Sequence, residues 1–401
     1  MLVTAATGKP LDWAMRGLTP AGVLLVAVVL MDLVEARRDR LLLPLCGLLC
    51  VLSIVFLTRT DAYLATRQLI AIIIGIFLMV ALYFLIEDIR SLARFKYLAG
   101  LSAIALLAAT ILWGREINGA RLWLSIPHLV TFQSGEVAKI LMAIFLAGYV
   151  ADYRQMLGRR GRGRISIQTP SLRSLAPLLL IVISCLAIFV GQHDLGTAIL
   201  FFGLFVTMLY VATGQPAYGI AAVALFAVGL ALAYQLSPQV GVRISSWLNP
   251  WADPTGVGYQ PLQAMFCLGE GGLFGAGLGH LSVTNLPAAA TDMILVVIGQ
   301  DLGLVGSVGV VIIYALISVR SYSLAWQATD RFASLLAAAL ATVFALQTLI
   351  IMGGVLRLIP LTGLTTPFLS YGGTSIVINF LAVGLLLAVS RDCVPQPEKA
   401  R

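Results

Sequence analysis

Residues 68–86 read QLIAIIIGIFLMVALYFLI, nineteen positions without a charged side chain. About 20 consecutive apolar residues in one helix cross a bilayer core, so this run predicts a membrane span. Working outward, comparable runs recur toward both ends. They predict spans near 18–36, 41–58, 68–86, 95–113, 132–152, 175–191, 195–213, 217–236, 293–318, 332–353 and 373–390, eleven in all. Composition agrees: of 401 residues, 60% are hydrophobic and 11% charged. Soluble domains carry roughly 45–50% apolar and about 25% charged residues. The expected fold class is all-α, a polytopic membrane protein without a separate soluble domain.

The net charge of +8 does not point to nucleic acid, because Lys and Arg sit in short blocks between apolar runs. Such blocks orient a membrane protein, the basic side being cytoplasmic. The segments 37–40, 87–96, 153–174, 214–216, 319–331 and the C-terminal tail hold 17 of the 26 Lys and Arg. The alternate segments 1–17, 58–67, 114–131, 237–292 and 354–372 hold 8, and Lys139 lies inside a span. The expected orientation is N-terminus outside and C-terminus cytoplasmic. The basic stretch 153–174 should then touch anionic headgroups. The external stretch 237–292 is long, rich in Gly, Pro and Trp, and expected to be functional. Five cysteines without a CxxC and three scattered histidines predict neither a disulfide framework nor a zinc site. The first apolar run leads into a basic block rather than a small-residue cleavage site, so it is not expected to be a signal peptide.

Ionisable groups within membrane spans are costly and therefore informative. Glu136 and Lys139, in TFQSGEVAKI, share one helix face at i and i+3. They fit either a self-neutralising pair or a polar cavity for a charged headgroup. Asp194, in GQHDLGTA, fits an N-cap acid at a helix start. Asp292 follows LPAAA and is expected to open an external helix, where the helix dipole favours a carboxylate. Gln300 and Asp301 lie about two turns deeper and are expected to make a buried polar contact. GEGGLFGAGLG (269–279) matches neither GxxxxGK[ST] nor a GxGxxG unit, yet its N–H groups suit an anionic diphosphate. TGLTTPFLSYGGTS (362–375) reads as irregular backbone entering the last span, which is tolerated where it lines a cavity.

Taken together, eight segments in order resemble motifs of the SEDS family, the RodA/FtsW/SpoVE group of peptidoglycan glycosyltransferases. They are GARLWL (119–124), FQSGEVAK (132–139), QHDLGT (192–197) and NPWADPTGVGYQPLQA (249–264), followed by LGEGGLFGAGLG (268–279), LPAAATD (286–292), GQDLGLVG (299–306) and IPLTGLTTPFLSYGGTS (359–375). The resemblance implies a ten-span core over 39–392, with 1–38 an additional N-terminal span and 393–401 a cytoplasmic tail. It implies polymerisation of lipid II on the outer face of the bacterial cytoplasmic (inner) membrane, releasing undecaprenyl diphosphate during cell-wall synthesis, cell shape and division. By the same resemblance Asp292 is the catalytic residue, and Arg121, Glu136, Lys139, Asp194, Arg243, Gln263 and Ser370 contact substrate. No cofactor is certain; a divalent cation (Mg or Mn) between Asp292 and the diphosphate is compatible with it. The implied partner is a class B penicillin-binding protein, a transpeptidase.

Three departures thin the charge around Asp292. The family's Glu-Arg-His is Ala288-Ala289-Ala290, its Gly-Lys-Gly has Ala276, and its Glu-Glu is Gln300-Asp301. Two rival readings share the same features: a lipid II flippase, and a weakly active scaffold for the transpeptidase.

The orientation is tested by single cysteines at Gly161 and Thr255. With an impermeant maleimide on intact cells, Thr255→Cys is expected to label and Gly161→Cys to label only after permeabilisation. The reverse pattern inverts the topology.

Overall fold

The computed structural model describes residues 19, 21–26, 28, 39–117, 120–126, 130–157, 172–236, 238–279 and 286–393. Apolar runs that cannot offer their backbone to water close their hydrogen bonds internally as helices. Each expected core span is matched by one. In chain order the helices are α1 (Leu42–Thr60), α2 (Ala62–Leu85), α3 (Lys96–Trp113), α4 (Ser134–Leu157), α5 (Leu172–Gly191), α6 (Leu195–Thr213) and α7 (Pro216–Leu236). Then come α8 (Pro238–Leu248) and α9 (Tyr259–Gly271), within the stretch expected to be a loop, and α10 (Ile294–Gln327), α11 (Arg331–Val355) and α12 (Gly373–Asp392). Among the described residues eight helices are long and apolar enough to cross a membrane, and the apolar part of α5 is the shorter Ala176–Gly191. The expected eleven is therefore not reached among them. Of the added span, the described residues between Thr19 and Val28 are helical. There Leu24, 4% exposed, packs against Gly47 of α1. The rest of 1–38, most of the basic stretch 153–174 and the tail beyond Cys393 lie outside the described residues.

The chain divides into two compact units. The first comprises residues 1–85, 238–320 and 347–384. Its α1–α2 hairpin turns at Asp61 alone, so the expected 58–67 loop is nearly absent. The Asp61 N–H donates to Leu57 O at 2.7 Å, and its Oδ1 accepts from Tyr63 N at 2.8 Å. One aspartate thus closes one helix and caps the next. At the other end of α1, Asp39 Oδ1 accepts from Leu41 N and Leu42 N, both at 2.9 Å, and Oδ2 is ion-paired with Arg320.

The largest departure from expectation is α10. The expected span 293–318 is two helices joined at Gly303, where φ is 68° and ψ −164°, and the second runs on to Gln327. The glycine-rich segment after α9 fills the break. Ala276 N donates to Gln300 O at 2.9 Å and Gly277 N to Asp301 O at 3.1 Å, while Leu304 N and Val305 N donate back to Gly272 O and Leu273 O. Helix carbonyls and amides freed by the break are thereby satisfied inside the protein, as membrane depth requires. The close approach explains the glycines. A Cβ on Gly271 would stand 2.0 Å from Gly299 O, and one on Gly275 2.1 Å from Asp301 O. This corrects the reading of 269–279 as a diphosphate cradle, because the Ala276 and Gly277 N–H groups point into the protein and are used there.

The second irregular stretch is 359–372, ahead of α12. Side chains from the spans satisfy its backbone. Gln68 donates to Ser370 O at 2.9 Å and accepts from Gly372 N at 3.2 Å; Gln347 donates to Thr365 O at 2.8 Å; Tyr314 donates to Pro367 O at 2.5 Å.

The second unit comprises residues 86–237, 321–346 and 385–401. Small residues let its helices approach closely: a Cβ on Gly100 of α3 would stand 2.9 Å from Ile181 and 3.0 Å from Phe145. Between α3 and α4 lies an antiparallel sheet, β1 (Arg115–Ile117), β2 (Ala120–Ile126) and β3 (Val130–Gln133), ordered β1-β2-β3. β2 faces β3 with Trp123 opposite Gln133 and Leu124 opposite Phe132. The sheet was not expected. The alternation in ARLWLSI is the period-2 signal that carries it, hidden in a segment read only as a loop.

The break supplies a test. Ala at Gly303 must adopt φ 68° with ψ −164°, a region essentially confined to glycine, at about 1–3 kcal/mol, and its Cβ would meet Gly275 N at 2.3 Å. Gly303→Ala is expected to lower thermal stability in detergent markedly. Gly309→Ala, whose Cβ meets nothing within 4 Å, is the control expected to be neutral.

Candidate active site

In the first unit a cavity of about 220 Å³ gathers polar groups from four segments: Arg243 and Ser246 of α8, Gln260 of α9, Asp292, and the backbone at Gly363. Val242, Val257, Pro261 and Leu361 supply its apolar wall. Asp292, half-buried, precedes α10 by two residues. The expectation that it opens the helix is corrected: the turn 288–293 delivers it instead. In that turn Ala288, at φ 54°, offers its carbonyl to Thr291 N and Met293 N at 3.0 and 3.1 Å. Gly363, at φ 75°, brings backbone up to the carboxylate, and a Cβ there would stand 3.7 Å from Asp292 Oδ2.

Two bonds tie this turn to the irregular stretch before α12. Ser370 Oγ donates to Thr291 O at 2.6 Å, and Tyr371 N donates to Ala290 O at 2.8 Å. Ser370 is 3% exposed, and its Oγ also accepts from Thr366 N at 2.9 Å. Its hydroxyl is spent on holding the neighbour of Asp292, which is a positioning task rather than a substrate contact. Arg243 is held by a bond from Nη1 to Thr362 O at 3.3 Å. Beside it, Trp247 Nε1 donates to Arg357 O at 2.8 Å and Arg357 Nη2 to Trp247 O at 2.7 Å, fastening α8 to the loop that follows α11. Asp253 turns NPWADPTGVGY by accepting from Gly256 N and Val257 N at 3.0 and 3.1 Å. That turn sets the start of α9, which puts Gln260 in the cavity wall. Gln263, one helical turn on, is not among the lining residues.

The remaining residues expected at the site belong to the second unit. Glu136 and Lys139, in the first turns of α4, pair at 2.7 Å with side chains 6% and 4% exposed. Asp194 caps α6: its Oδ1 accepts from Thr197 N at 3.0 Å and its Oδ2 from Thr197 Oγ1 at 2.7 Å. The same QHDLGT segment sends Gln192 Nε2 to Leu107 O at 3.1 Å. Arg121, on β2, is exposed and pairs with Glu116 at 3.2 Å.

Sequence reading missed Gln260, Ser246 and Gln68. Gln68 carried a usable signal, as the one polar side chain at the head of the apolar run 68–86. Arg59 was also missed: it is ion-paired with Asp301, whose side chain is 0% exposed. The polar contact expected of Gln300 and Asp301 exists, but with other partners. Gln300 Nε2 donates to Glu270 Oε2 at 2.8 Å. Among the described residues no group of three or more His, Cys, Asp or Glu stands ready to hold a metal ion.

The FtsW/RodA/SpoVE family model, described as "Cell cycle protein", matches residues 38–393. "Peptidoglycan glycosyltransferase RodA" of Mycobacterium tuberculosis is 36% identical over 365 residues, 88% of this chain and 78% of that protein. "Stage V sporulation protein E" of Bacillus subtilis is 33% identical over 338 residues, 82% of this chain and 87% of that protein. Among solved structures, a chain described under "Structural coordination of polymerization and crosslinking by a peptidoglycan synthase complex" superposes with a TM-score of 0.71 at 26% identity, over 90% of this chain and 99% of that one. The Thermus thermophilus Rod shape determining protein RodA superposes with a TM-score of 0.65 at 26% identity, over 90% and 98%.

Removing one partner of a buried ion pair leaves the other charge uncompensated, at about 3–5 kcal/mol. Glu136→Gln and Lys139→Met are each expected to lower thermal stability strongly. The double variant is expected to lose less than the sum of the two. Additive shifts would contradict the coupling.

Proposed function

The chain belongs to the FtsW/RodA/SpoVE family, and from that premise we propose that it is a multi-pass peptidoglycan glycosyltransferase of the bacterial inner membrane that polymerises lipid II. One observation carries the proposal: Asp292 and Arg243 line the same cavity, together with Gln260. Glycosyl transfer needs a base at the acceptor hydroxyl and a cation or N–H group at the departing diphosphate. The acceptor 4-hydroxyl oxygen attacks the anomeric carbon of the donor glycan, and Asp292 takes the hydroxyl proton. The anomeric carbon–oxygen bond to the diphosphate breaks, and the electron pair leaves with undecaprenyl diphosphate. Arg243 meets that charge. At about 220 Å³ the cavity is smaller than the roughly 300–1,000 Å³ of drug-sized pockets, so it takes the reacting end of the substrate alone.

Gln260 joins Arg243 as a proposed sugar or phosphate contact, in the place first given to Gln263. Ser370 becomes a positioning residue. Lys139, oriented by Glu136, is our candidate for a further anionic contact, and Arg121 and Asp194 complete the expected set. A divalent cation at Asp292 would draw its other ligands from diphosphate and water, since oxygen-rich substrates commonly complete such sites. With the basic side inward, residues 237–292 face outside and the C-terminus lies in the cytoplasm. A class B penicillin-binding protein is the proposed partner, supported by the likeness to a chain of a peptidoglycan synthase complex. The rival flippase reading expects the freed backbone of a discontinuous helix to meet the substrate. Here the break at Gly303 is plugged by backbone bonds on both sides, which supports the enzyme.

Asp292→Asn is nearly isosteric and should leave folding intact. Because general acid–base groups contribute typically about 10²–10⁴-fold, the variant is expected to lose polymerisation of labelled lipid II by that factor. A near-normal rate would remove Asp292 from the chemistry and move the flippase or scaffold reading ahead.

A further inference from the structure

The first half of α10, from Ile294 to the break at Gly303, is a short strut with Asp292 just ahead of its upper end. Its lower end carries Asp301, 1% exposed. Three attachments hold that lower end. Asp301 is ion-paired with Arg59, in the last turn of α1, whose side chain is 11% exposed. Gln300 bonds Glu270 of α9 at 2.8 Å. The backbone of 299–305 is laced to that of 271–277. The second and third attachments join the strut to α9, which carries Gln260 of the cavity wall, so strut and wall form one module. The Arg59 pair ties that module to a transmembrane helix outside it.

We propose that Arg59 is a positioning residue for the transfer reaction: through its ion pair with Asp301 it sets where the strut, and hence Asp292, stands in the cavity. The inference rests on the assignment of Asp292 above. A buried ion pair adds little net stability compared with apolar packing of the same volume. What it supplies is direction, because the guanidinium and carboxylate meet in few geometries. The upper end of the strut is secured through the backbone of residues 290, 291 and 293. Those bonds fix the turn, while the lower anchor fixes the height and rotation of the helix beneath it. Misplacing a catalytic group by about 1 Å can lower a rate 10²-fold without touching the chemistry.

The test uses the full chain in proteoliposomes, with two readouts. The double variant Arg59→Gln/Asp301→Gln removes both charges together, so no lone buried charge remains. It is expected to lower kcat for lipid II polymerisation at least about tenfold with KM within about twofold, the pattern of a lost transition-state interaction. Asp301→Glu keeps the pair and is expected to stay within about threefold of the parent. In an Asp292→Cys background, the same double change is expected to alter the rate of labelling by an impermeant maleimide. A folded double variant with parental kcat overturns the proposal, as does a loss in Asp301→Glu equal to that of the double. If the double variant does not fold, Arg59→Lys decides, and parental kcat together with unchanged labelling at position 292 overturns it. If the parent chain polymerises nothing, the assignment of function fails. The labelling arm then decides alone, an unchanged rate overturning the positioning role.

Discussion

A backbone N–H or carbonyl inside a bilayer has no water to turn to, so each must find a partner within the protein. Regular helices meet that demand unaided. Among the described residues of the first unit, the break at Gly303 and the stretch 359–372 are two departures from helix where the missing partners are supplied at specific addresses. The glycine-rich segment after α9 inserts its own backbone into the break. Gln68, Gln347 and Tyr314 reach from spans to the carbonyls of 365–370. These two repairs flank Asp292. One fixes the strut below it and the other fixes the turn that carries it.

The same demand accounts for much of the conspicuous composition. Gly271, Gly275 and Gly303 stand where two backbones approach so closely that a Cβ would lie 2.0–2.3 Å from a main-chain atom. A reader of nucleotide-binding loops sees a phosphate cradle in GEGGLFGAGLG. The tertiary structure turns its Ala276 and Gly277 amides toward helix carbonyls instead. Glycine permits close backbone approach, and what approaches is decided by the fold.

Charge follows a parallel logic. Buried ionisable groups survive when paired, and Glu136–Lys139 and Arg59–Asp301 are such pairs, each within one unit. The former is visible in sequence because helical periodicity places i and i+3 on one face. The latter joins residues 242 positions apart, which no local rule connects. Arg243 differs from both: among the described residues it makes no ion pair, and its guanidinium bonds only the Thr362 carbonyl while lining the cavity with Asp292. An arginine held by a neutral carbonyl at a cavity wall keeps its charge available for an anion.

The helical class and the ten core helices are legible in the sequence, their observed ends lying within about five residues of the expected spans except at Ala62 and Gln327. Length and apolarity are local properties, and the bilayer reads them locally. The sequence by itself also determined the Glu136–Lys139 pair, the Asp194 cap and the prominence of Asp292, because each rests on spacing within one helix or at one helix end. Only the tertiary structure decided that Asp292 sits on a turn ahead of its helix, that Gln260 rather than Gln263 lines the cavity, and that Ser370 holds the turn. It alone decided that Arg59 anchors the strut. Those facts depend on which segments meet across the chain. Such meetings are fixed by the satisfaction of backbone groups at the helix breaks, a constraint that acts between distant segments and leaves no periodic trace in either one.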